Sequence, residues 1–247
     1  MDFSISQIIL LIFIGILAGT INVIAGGGSF LTLPALIFVG VPPLIANASN
    51  RVAILMQNIV GIRRYHVLGV RPKIEYPLLF ILVIPSAIAG AWLSTLFSNQ
   101  EFKTILAIIM LFAAFMTLLK TGKKVTSNIP TNRLIIYGGY ILIGLYGGFI
   151  QAGVGFLILM VMALDGHNLI EGNAIKLIIA VVFTAVSIIV FTLNHQINWM
   201  AGFLLGLGNI GGAFIGTHFV VKSKQATLEK LVQIAIIIMA FILIVRR

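Results

Sequence analysis

Long apolar runs follow one another along the chain, and short polar or glycine-rich breaks separate them. Ten such segments cover residues 5–24, 29–39, 45–62, 76–97, 103–119, 134–151, 155–164, 170–193, 198–220 and 228–245. Most of them approach the roughly 20 residues that a helix needs to cross a bilayer. None alternates between apolar and polar residues as the strands of a membrane barrel do. The pattern predicts an all-α, polytopic membrane helical bundle with 8–10 membrane segments.

The composition agrees with a membrane bundle and excludes an ordinary soluble domain. Hydrophobic residues make up 60% of the chain and charged residues 9%, whereas soluble domains carry about 25% charged residues. The net charge of +10 does not indicate a nucleic-acid partner here, because Lys and Arg cluster at the ends of apolar runs, as the positive-inside rule describes. We therefore expect a multi-pass protein of the cell (inner) membrane, in contact with the lipid bilayer.

One polar linker divides the chain nearly in half. The division predicts three parts, namely an N-terminal membrane repeat over 1–120, a polar cytoplasmic linker over 121–133 and a C-terminal membrane repeat over 134–247. A shift of 126 residues places Asn47 on Asn173, and small slips in register place Gly26 on Gly153. Asn22 then falls on Gln151. We interpret the halves as a duplicated membrane unit, as in many transporters.

The orientation of the second repeat depends on the number of segments in each half. Five per half would invert it and place eleven Lys and Arg on one side against three on the other, while four would give ten against four. The charge count therefore does not decide between them. The break at Gly40–Pro43 favours five, because proline restricts its own backbone and that of the preceding residue. We accordingly expect inverted repeats.

Two segments are too short to cross the bilayer comfortably. Residues 29–39 and 155–164 contain 11 and 10 residues, which is about 15 Å of helix against a hydrocarbon core of roughly 30 Å. A pair of short, glycine-interrupted segments at matching positions of two repeats indicates the midplane binding site of a transporter. We therefore expect broken short helices at the midplane, with their backbone facing a pathway.

The residues near these breaks favour an anionic ligand. Arg51 and Lys176 lie one position apart between the aligned repeats, and an isolated cation in the bilayer is costly enough to need a partner. We expect helices to start near Gly28 and Asn47, and near Gly155 and Asn173, so that N–H groups and positive dipole ends point at one region. The candidate substrate-binding residues are Asn22, Gly26, Gly27, Gly28, Asn47, Asn50, Arg51, Gln151, Gly153, Gly155, Asn173 and Lys176.

Simpler interpretations exist for the glycines and the amides. The glycines at the breaks can serve helix packing alone, which is the role expected of Gly15–Gly19, Gly144–Gly148 and Gly212–Gly216. Asn47 and Asn173 can act only as helix N-caps. Both alternatives remain open at the level of the sequence.

Acidic residues near the second break offer a further set of roles. Asp165 and Glu171 are candidates for coupling to a proton or Na⁺, for pairing with Arg51 or Lys176, or for a solvated loop. Both cations could also extend to the interface. The sequence contains no metal-hydrolase, phosphate-loop or nucleophile-elbow signature and no cysteine, so we expect no enzyme, no cofactor and no metal site. A homo-oligomer is left open.

The glycine-rich breaks carry a family resemblance. Gly19–Leu36 and the following Ala46–Asn50 resemble the first repeat of the sulfite exporter TauE/SafE family, in the four-toluene sulfonate uptake permease superfamily. The second repeat looks similar through Gly147–Gly155 and Gly172–Lys176, although Gly153-Val154-Gly155 replaces three glycines. The resemblance implies a prokaryotic-type inner-membrane permease that moves small sulfur-containing anions such as sulfite, sulfonates or related organosulfur acids.

The resulting hypothesis is a secondary transporter of small sulfur-containing anions that works by alternating access between two repeats. An anion-selective channel is one alternative, against which saturating turnover and a response to a proton gradient would argue. An intramembrane enzyme or a subunit of a larger complex is the other.

Overall fold

The computed structural model describes residues 3–72, 76–119 and 132–222, and every regular element in these ranges is an α-helix. The helices are α1 (Ile5–Ala25), α2 (Ser29–Phe38), α3 (Pro43–Val67), α4 (Tyr76–Thr95), α5 (Asn99–Leu119), α6 (Arg133–Phe149), α7 (Val154–Leu164), α8 (Leu169–Leu193) and α9 (Trp199–Lys222). The predicted all-α bundle is confirmed. The predicted tenth segment, 228–245, and nearly all of the predicted linker, 121–133, lie outside the described residues.

Four of the described helices are long and apolar enough to cross a membrane, namely those over Ile5–Ile24, Pro77–Thr95, Leu169–Leu193 and Trp199–Val220. Large apolar side chains such as Phe13 and Phe203 are exposed on their outer surfaces, as contact with lipid requires. Helix α3 is equally long at 25 residues, but its middle carries polar side chains that are fully buried inside the protein. The prediction of a polytopic helical membrane protein is confirmed.

Helices α3 and α8 begin earlier than predicted. Pro42 precedes α3 with φ −55° and ψ 143°, and a second proline fills the first helical position, where a missing N–H breaks no bond. Asn168 caps α8 through its side chain. The expectation that helices start near Asn47 and Asn173 is therefore wrong. Both residues lie inside their helices, and neither is an N-cap.

Helix α2 runs back along α1 instead of completing a crossing. The side-chain amide of Gln7, near the start of α1, donates to the carbonyl of Val39, just past the end of α2, at 3.3 Å. At the other end of α2, Gly28 lies so close to Ala18 that a Cβ there would overlap the Ala18 carbonyl oxygen. Helices α1 and α2 therefore form a hairpin whose tip is Gly26–Gly28.

Helices α6 and α7 form a second hairpin of the same design. The guanidinium of Arg133, at the start of α6, lies 3.4 Å from the carboxylate of Asp165, the residue after α7. These two residues stand 126 positions after Gln7 and Val39, the offset that aligns the two halves. The short segments are therefore re-entrant in both halves.

The two hairpins enter the bundle from opposite sides. Along the central pair of helices, Gly61 of α3 lies against Leu177 of α8, and Arg51 of α3 lies against Phe191 of α8, so these helices run antiparallel. The hairpin α1–α2 begins and ends on the side where α3 starts, and the hairpin α6–α7 begins and ends on the side where α8 starts. Helix α1 consequently runs in the direction of α3, and α6 runs in the opposite direction with α8.

Glycines bring matching pairs of helices into close contact. Helix α1 packs on α9, and its counterpart α6 packs on α4. A Cβ would overlap neighbouring atoms in contacts that pair Gly15 with Leu205, Gly19 with Asn209, Gly144 with Ser86 and Gly148 with Ala87. Because these atoms leave no room for a side chain, the glycines spaced by four have the packing role that the sequence predicts.

Candidate functional site

The tips of the two hairpins touch each other. A Cβ on Gly26 would overlap the Cα of Gly155, and a Cβ on Gly155 would overlap the Cα of Gly26. Gly26 ends α1 with φ 84° and Gly153 precedes α7 with φ 73°, in the left-handed region that favours glycine. The glycines of the breaks therefore meet both a spatial and a conformational requirement.

Arg51 caps the broken end of α6. It is fully buried, and its Nη1 and Nη2 donate to the carbonyls of Gly147 at 2.7 Å and Gly148 at 2.5 Å. The Nδ2 of Asn47 donates to the next carbonyl, that of Phe149, at 3.0 Å. No backbone N–H of the described residues reaches the first two carbonyls. A cation at a helix C-terminus is also favoured by the helix dipole.

Lys176 caps the broken end of α1 in the same way. Its Nζ donates to the carbonyls of Asn22 and Val23, both at 2.9 Å, and to Oδ1 of Asn173 at 2.6 Å. These three bonds use all three protons of the ammonium. Because Lys176 belongs to the second half and α1 to the first, the cap joins the two halves.

The two caps are crossed, since each half supplies the cation that binds the broken helix of the other half. Among the described residues, neither Arg51 nor Lys176 pairs with a carboxylate, and both are buried rather than extended to an interface. Asn47 and Asn173 assist these caps from inside their helices. The carbonyl ends of broken helices are therefore the partners that the isolated cations required.

A small cavity lies between the hairpin tips and the central helices. Its polar lining consists of Asn22, Ser29, Asn58, Gln151 and Lys176, beside the backbone of Gly155. The cavity has a volume of about 10 Å³, which is enough for about one water molecule. An oxyanion therefore requires the tips to move apart before it can enter.

The cavity is at the middle of the bundle along the direction of its long helices. Ile54 of α3 and Ala180 of α8 both line it. Each of them is one residue from the midpoint of its helix, which is Leu55 in Pro43–Val67 and Val181 in Leu169–Leu193. This is the depth at which the short segments predict a binding site.

Hydrogen-bond donors converge on this cavity. Ser29 and Gly155 lie in the first turns of α2 and α7, and their own backbone N–H groups have no backbone partner among the described residues. The hydroxyl of Ser29 accepts from Asn50 Nδ2 at 3.3 Å, so its own proton is available for another acceptor. Two positive helix ends and the ammonium of Lys176 thus surround one space, which is the electrostatic environment of an anion site.

Asp165 and Glu171 do not line the cavity. Asp165 contacts Arg133 at 3.4 Å and His167 at 3.8 Å, and Glu171 contacts His167 at 3.7 Å. The rise along the chain from Ile158, which lines the cavity, to Asp165 is about 10 Å, and the rise from Glu171 to Lys176 is about 8 Å. Their predicted coupling role stays a prediction.

Several predicted site residues come together, and two lining residues escaped prediction. Of the candidate substrate-binding residues, the cavity is lined by Asn22, Gln151, Gly155 and Lys176. Four more do not line the cavity but form hydrogen bonds to the broken helix ends, to Ser29 or to Lys176, namely Asn47, Asn50, Arg51 and Asn173. The remaining four belong to the hairpin tips, namely Gly26, Gly27, Gly28 and Gly153. The missed residues are Ser29 and Asn58. Asn58 could have been predicted from the sequence, because two adjacent polar residues, Gln57 and Asn58, are unusual in the middle of an apolar span.

The chain is similar to known proteins over nearly its whole length. A family model described as Sulfite exporter TauE/SafE matches residues 11–243. The chain is 28% identical to a "Probable membrane transporter protein YfcA" of Escherichia coli (strain K12), covering 96% of this chain and 90% of that protein. It is 28% identical to a "Probable membrane transporter protein ORF9" of Sinorhizobium sp, covering 91% and 87%. A "Probable membrane transporter protein" of Haemophilus influenzae is 26% identical, covering 98% and 95%. No solved structure matches the chain significantly.

Proposed function

The chain belongs to the sulfite exporter TauE/SafE family, and we propose that it is a secondary transporter of small sulfur-containing anions such as sulfite, sulfonates or related organosulfur acids. That it is a multi-pass membrane transport protein follows from the family and from relatives matched over nearly their full length. The substrate class and the mechanism are the new parts of this proposal.

One observation carries the proposal. The ammonium of Lys176 and the first turns of two re-entrant helices converge on a cavity at the middle of the central helices. A lining that contains an ammonium and two helix N-termini but no carboxylate favours a small oxyanion over a cation. The small volume of the cavity, which fits about one water molecule, favours a compact ligand.

The arrangement of the hairpins supports alternating access between two inverted repeats, 1–120 and 134–247, joined by a cytoplasmic linker over 121–133. The hairpins enter from opposite sides and meet at Gly26 and Gly155. Movement of one half against the other would open the cavity first to one side and then to the other. The caps at Arg51 and Lys176 join the halves and would have to rearrange during that movement.

Uptake into proteoliposomes tests the substrate class. Purified protein should take up labelled sulfite or a small sulfonate, and uptake should saturate with concentration and be faster under a proton or Na⁺ gradient. Carboxylates of similar size serve as the comparison. Linear, non-saturating flux with single-channel currents would instead support the anion-selective channel, and uptake of no anion in the panel would refute the proposal.

Single cysteines test the inverted topology, because the native chain contains none. The positive-inside rule places the ends of α3 and α7 on the cytoplasmic side. We therefore expect Leu68→Cys and His167→Cys to react with a membrane-impermeant thiol reagent from the cytoplasmic side. Phe97→Cys and His195→Cys should react from the other side. Labelling of Leu68→Cys and His195→Cys, which follow the equivalent helices α3 and α8, from one side would contradict the inverted repeats.

A further inference from the structure

Two polar pairs occupy matching places beside the hairpin tips, one in each half. In the second half, Nε2 of Gln151 donates to Oγ1 of Thr184 at 2.7 Å, and both side chains are buried. Asn22 is the first-half counterpart of Gln151 in the sequence. Asn58 is the counterpart of Thr184, because it stands 126 positions earlier. The same pair therefore exists twice, with different side chains.

The pair in the first half is open where its counterpart is closed. Asn22 and Asn58 both line the central cavity, and no hydrogen bond joins them among the described residues. Asn58 is fully buried, and its Nδ2 has no partner in the described part of the chain. Its Oδ1 accepts from Nε2 of Gln57 at 3.3 Å, which leaves both Nδ2 protons for another acceptor.

An unpaired amide donor that is fully buried is unfavourable and rare in native proteins. Asn58 lines the same cavity as the ammonium of Lys176. The unpaired Nδ2 therefore indicates that a hydrogen-bond acceptor binds in this cavity. Thr184 does not line the cavity, and Nε2 of Gln151 already donates to Thr184. The two halves are thus unequal in the donors that they offer to a ligand.

We propose that Asn58 and Asn22 hold oxygen atoms of the transported anion, so that the binding site lies on the first half's side of the cavity. The inference rests on the proposed function. Lys176 supplies the positive charge from the second half, and its bond to the Asn22 carbonyl at 2.9 Å keeps the ammonium beside the Asn22 side chain. Asn58 is then a residue that determines affinity and selectivity for oxyanions through its two N–H groups.

Binding measurements on purified full-length protein test this assignment. The probes are sulfite and methanesulfonate, and binding is measured by titration calorimetry and by the shift of the unfolding midpoint. Asn58→Leu keeps the size of the side chain and removes both donors. It should raise the Kd by about ten- to hundredfold, since hydrogen bonds to charged groups are among the stronger ones. Asn58→Asp should abolish binding, because it places a like charge beside the anion.

Two further variants keep the test decisive. Asn58→Thr gives the first half the residue that the second half carries at the matching position, and it should fold while weakening binding at least tenfold. Thr184→Val is the matched control, which should change the Kd by less than about threefold. Unfolding midpoints without ligand identify any variant that is misfolded.

The outcomes separate the two proposals. If the wild-type protein binds and transports no anion of the panel, the proposed function fails and the role of Asn58 fails with it. If the wild type binds sulfite or methanesulfonate and Asn58→Leu or Asn58→Thr binds within threefold of it, the function stands and this assignment is overturned. Equal losses in Asn58→Thr and Thr184→Val would also overturn it, because the site would not favour the first half.

Discussion

Gly155→Ala tests whether direct contact between the hairpin tips is needed for transport. The new Cβ would overlap the Cα of Gly26, a backbone atom that cannot rotate away. The new Cβ would be 2.3 Å from that atom, and non-bonded carbon atoms are at their optimum about 3.5–4.0 Å apart, so the tips would have to separate by about 1–2 Å. Inserting a methyl group into a packed interior costs about 1–3 kcal/mol of the free energy of unfolding. Displacement of binding groups by about 1 Å can lower a rate by about a hundredfold.

The matched control is Gly172→Ala, which adds the same methyl group to α8. There the nearest atoms to a new Cβ are Met162 Cβ at 3.4 Å and Leu159 Cδ2 at 3.6 Å, which are ordinary contacts. Unfolding midpoints in detergent and initial rates of sulfite uptake in proteoliposomes measure the two effects. Gly155→Ala should lower both, and Gly172→Ala should lower neither. A Gly155→Ala protein with a wild-type midpoint and uptake rate would refute the tip contact as a functional feature.

The crossed caps lead to three further predictions. Arg51→Lys keeps the charge but cannot present a planar fork to two carbonyls, so the free energy of unfolding should fall by about 1–3 kcal/mol, and an unchanged unfolding curve would contradict the cap. Lys176→Met should abolish sulfite binding but lower the unfolding midpoint less than Arg51→Met does. The reason is that the carbonyl of Asn22 keeps a second donor, the N–H of Gly26 at 2.8 Å. Equal midpoints for the two variants would contradict this prediction. Asp165→Asn should leave the Kd for sulfite unchanged, because Asp165 pairs with Arg133 outside the cavity lining, and a weakened Kd in calorimetry would place Asp165 in the site.

Local patterns in the sequence are sufficient to predict the helices but not their starts after the breaks. Apolar runs end where polar or glycine residues follow, so the predicted and observed bounds agree closely for α1, α2 and α7. The starts of α3 and α8 were misplaced because Asn47 and Asn173 resemble N-caps. Pro42 and Asn168 begin these helices earlier, and the amides consequently lie inside them.

The partners of the buried cations could not be read from local sequence. The position of Arg51 near a break is visible in one half, but the carbonyls that it binds belong to residues nearly a hundred positions later. An isolated cation in an apolar segment indicates that a partner exists without identifying it. The repeat offset of 126 residues does relate contacts in the two halves, because Gln7 contacts Val39 at the end of the first hairpin as Arg133 contacts Asp165 at the end of the second.

Crossed capping also explains how a helix can stop in the middle of a membrane protein. Broken helices leave carbonyls without partners, and at membrane depth water cannot satisfy them. Each half supplies the cation that the other half's break requires, so neither half alone satisfies all the carbonyls of its own broken end. The carbonyls of Gly147 and Gly148 lose their donors if the first half is absent, and Lys176 loses two acceptors.

Splitting the chain within the linker therefore provides a direct test of this dependence. Residues 1–120 or 121–247 expressed alone should be degraded or aggregate, because each half then buries an unpaired cation and unpaired carbonyls. Co-expression of the two halves should restore a monodisperse complex that takes up sulfite. In the co-expressed pair, Arg51→Met should weaken assembly, since it removes two hydrogen bonds between the halves. A single half that is monodisperse and helical on its own would contradict the crossed caps as a condition for folding.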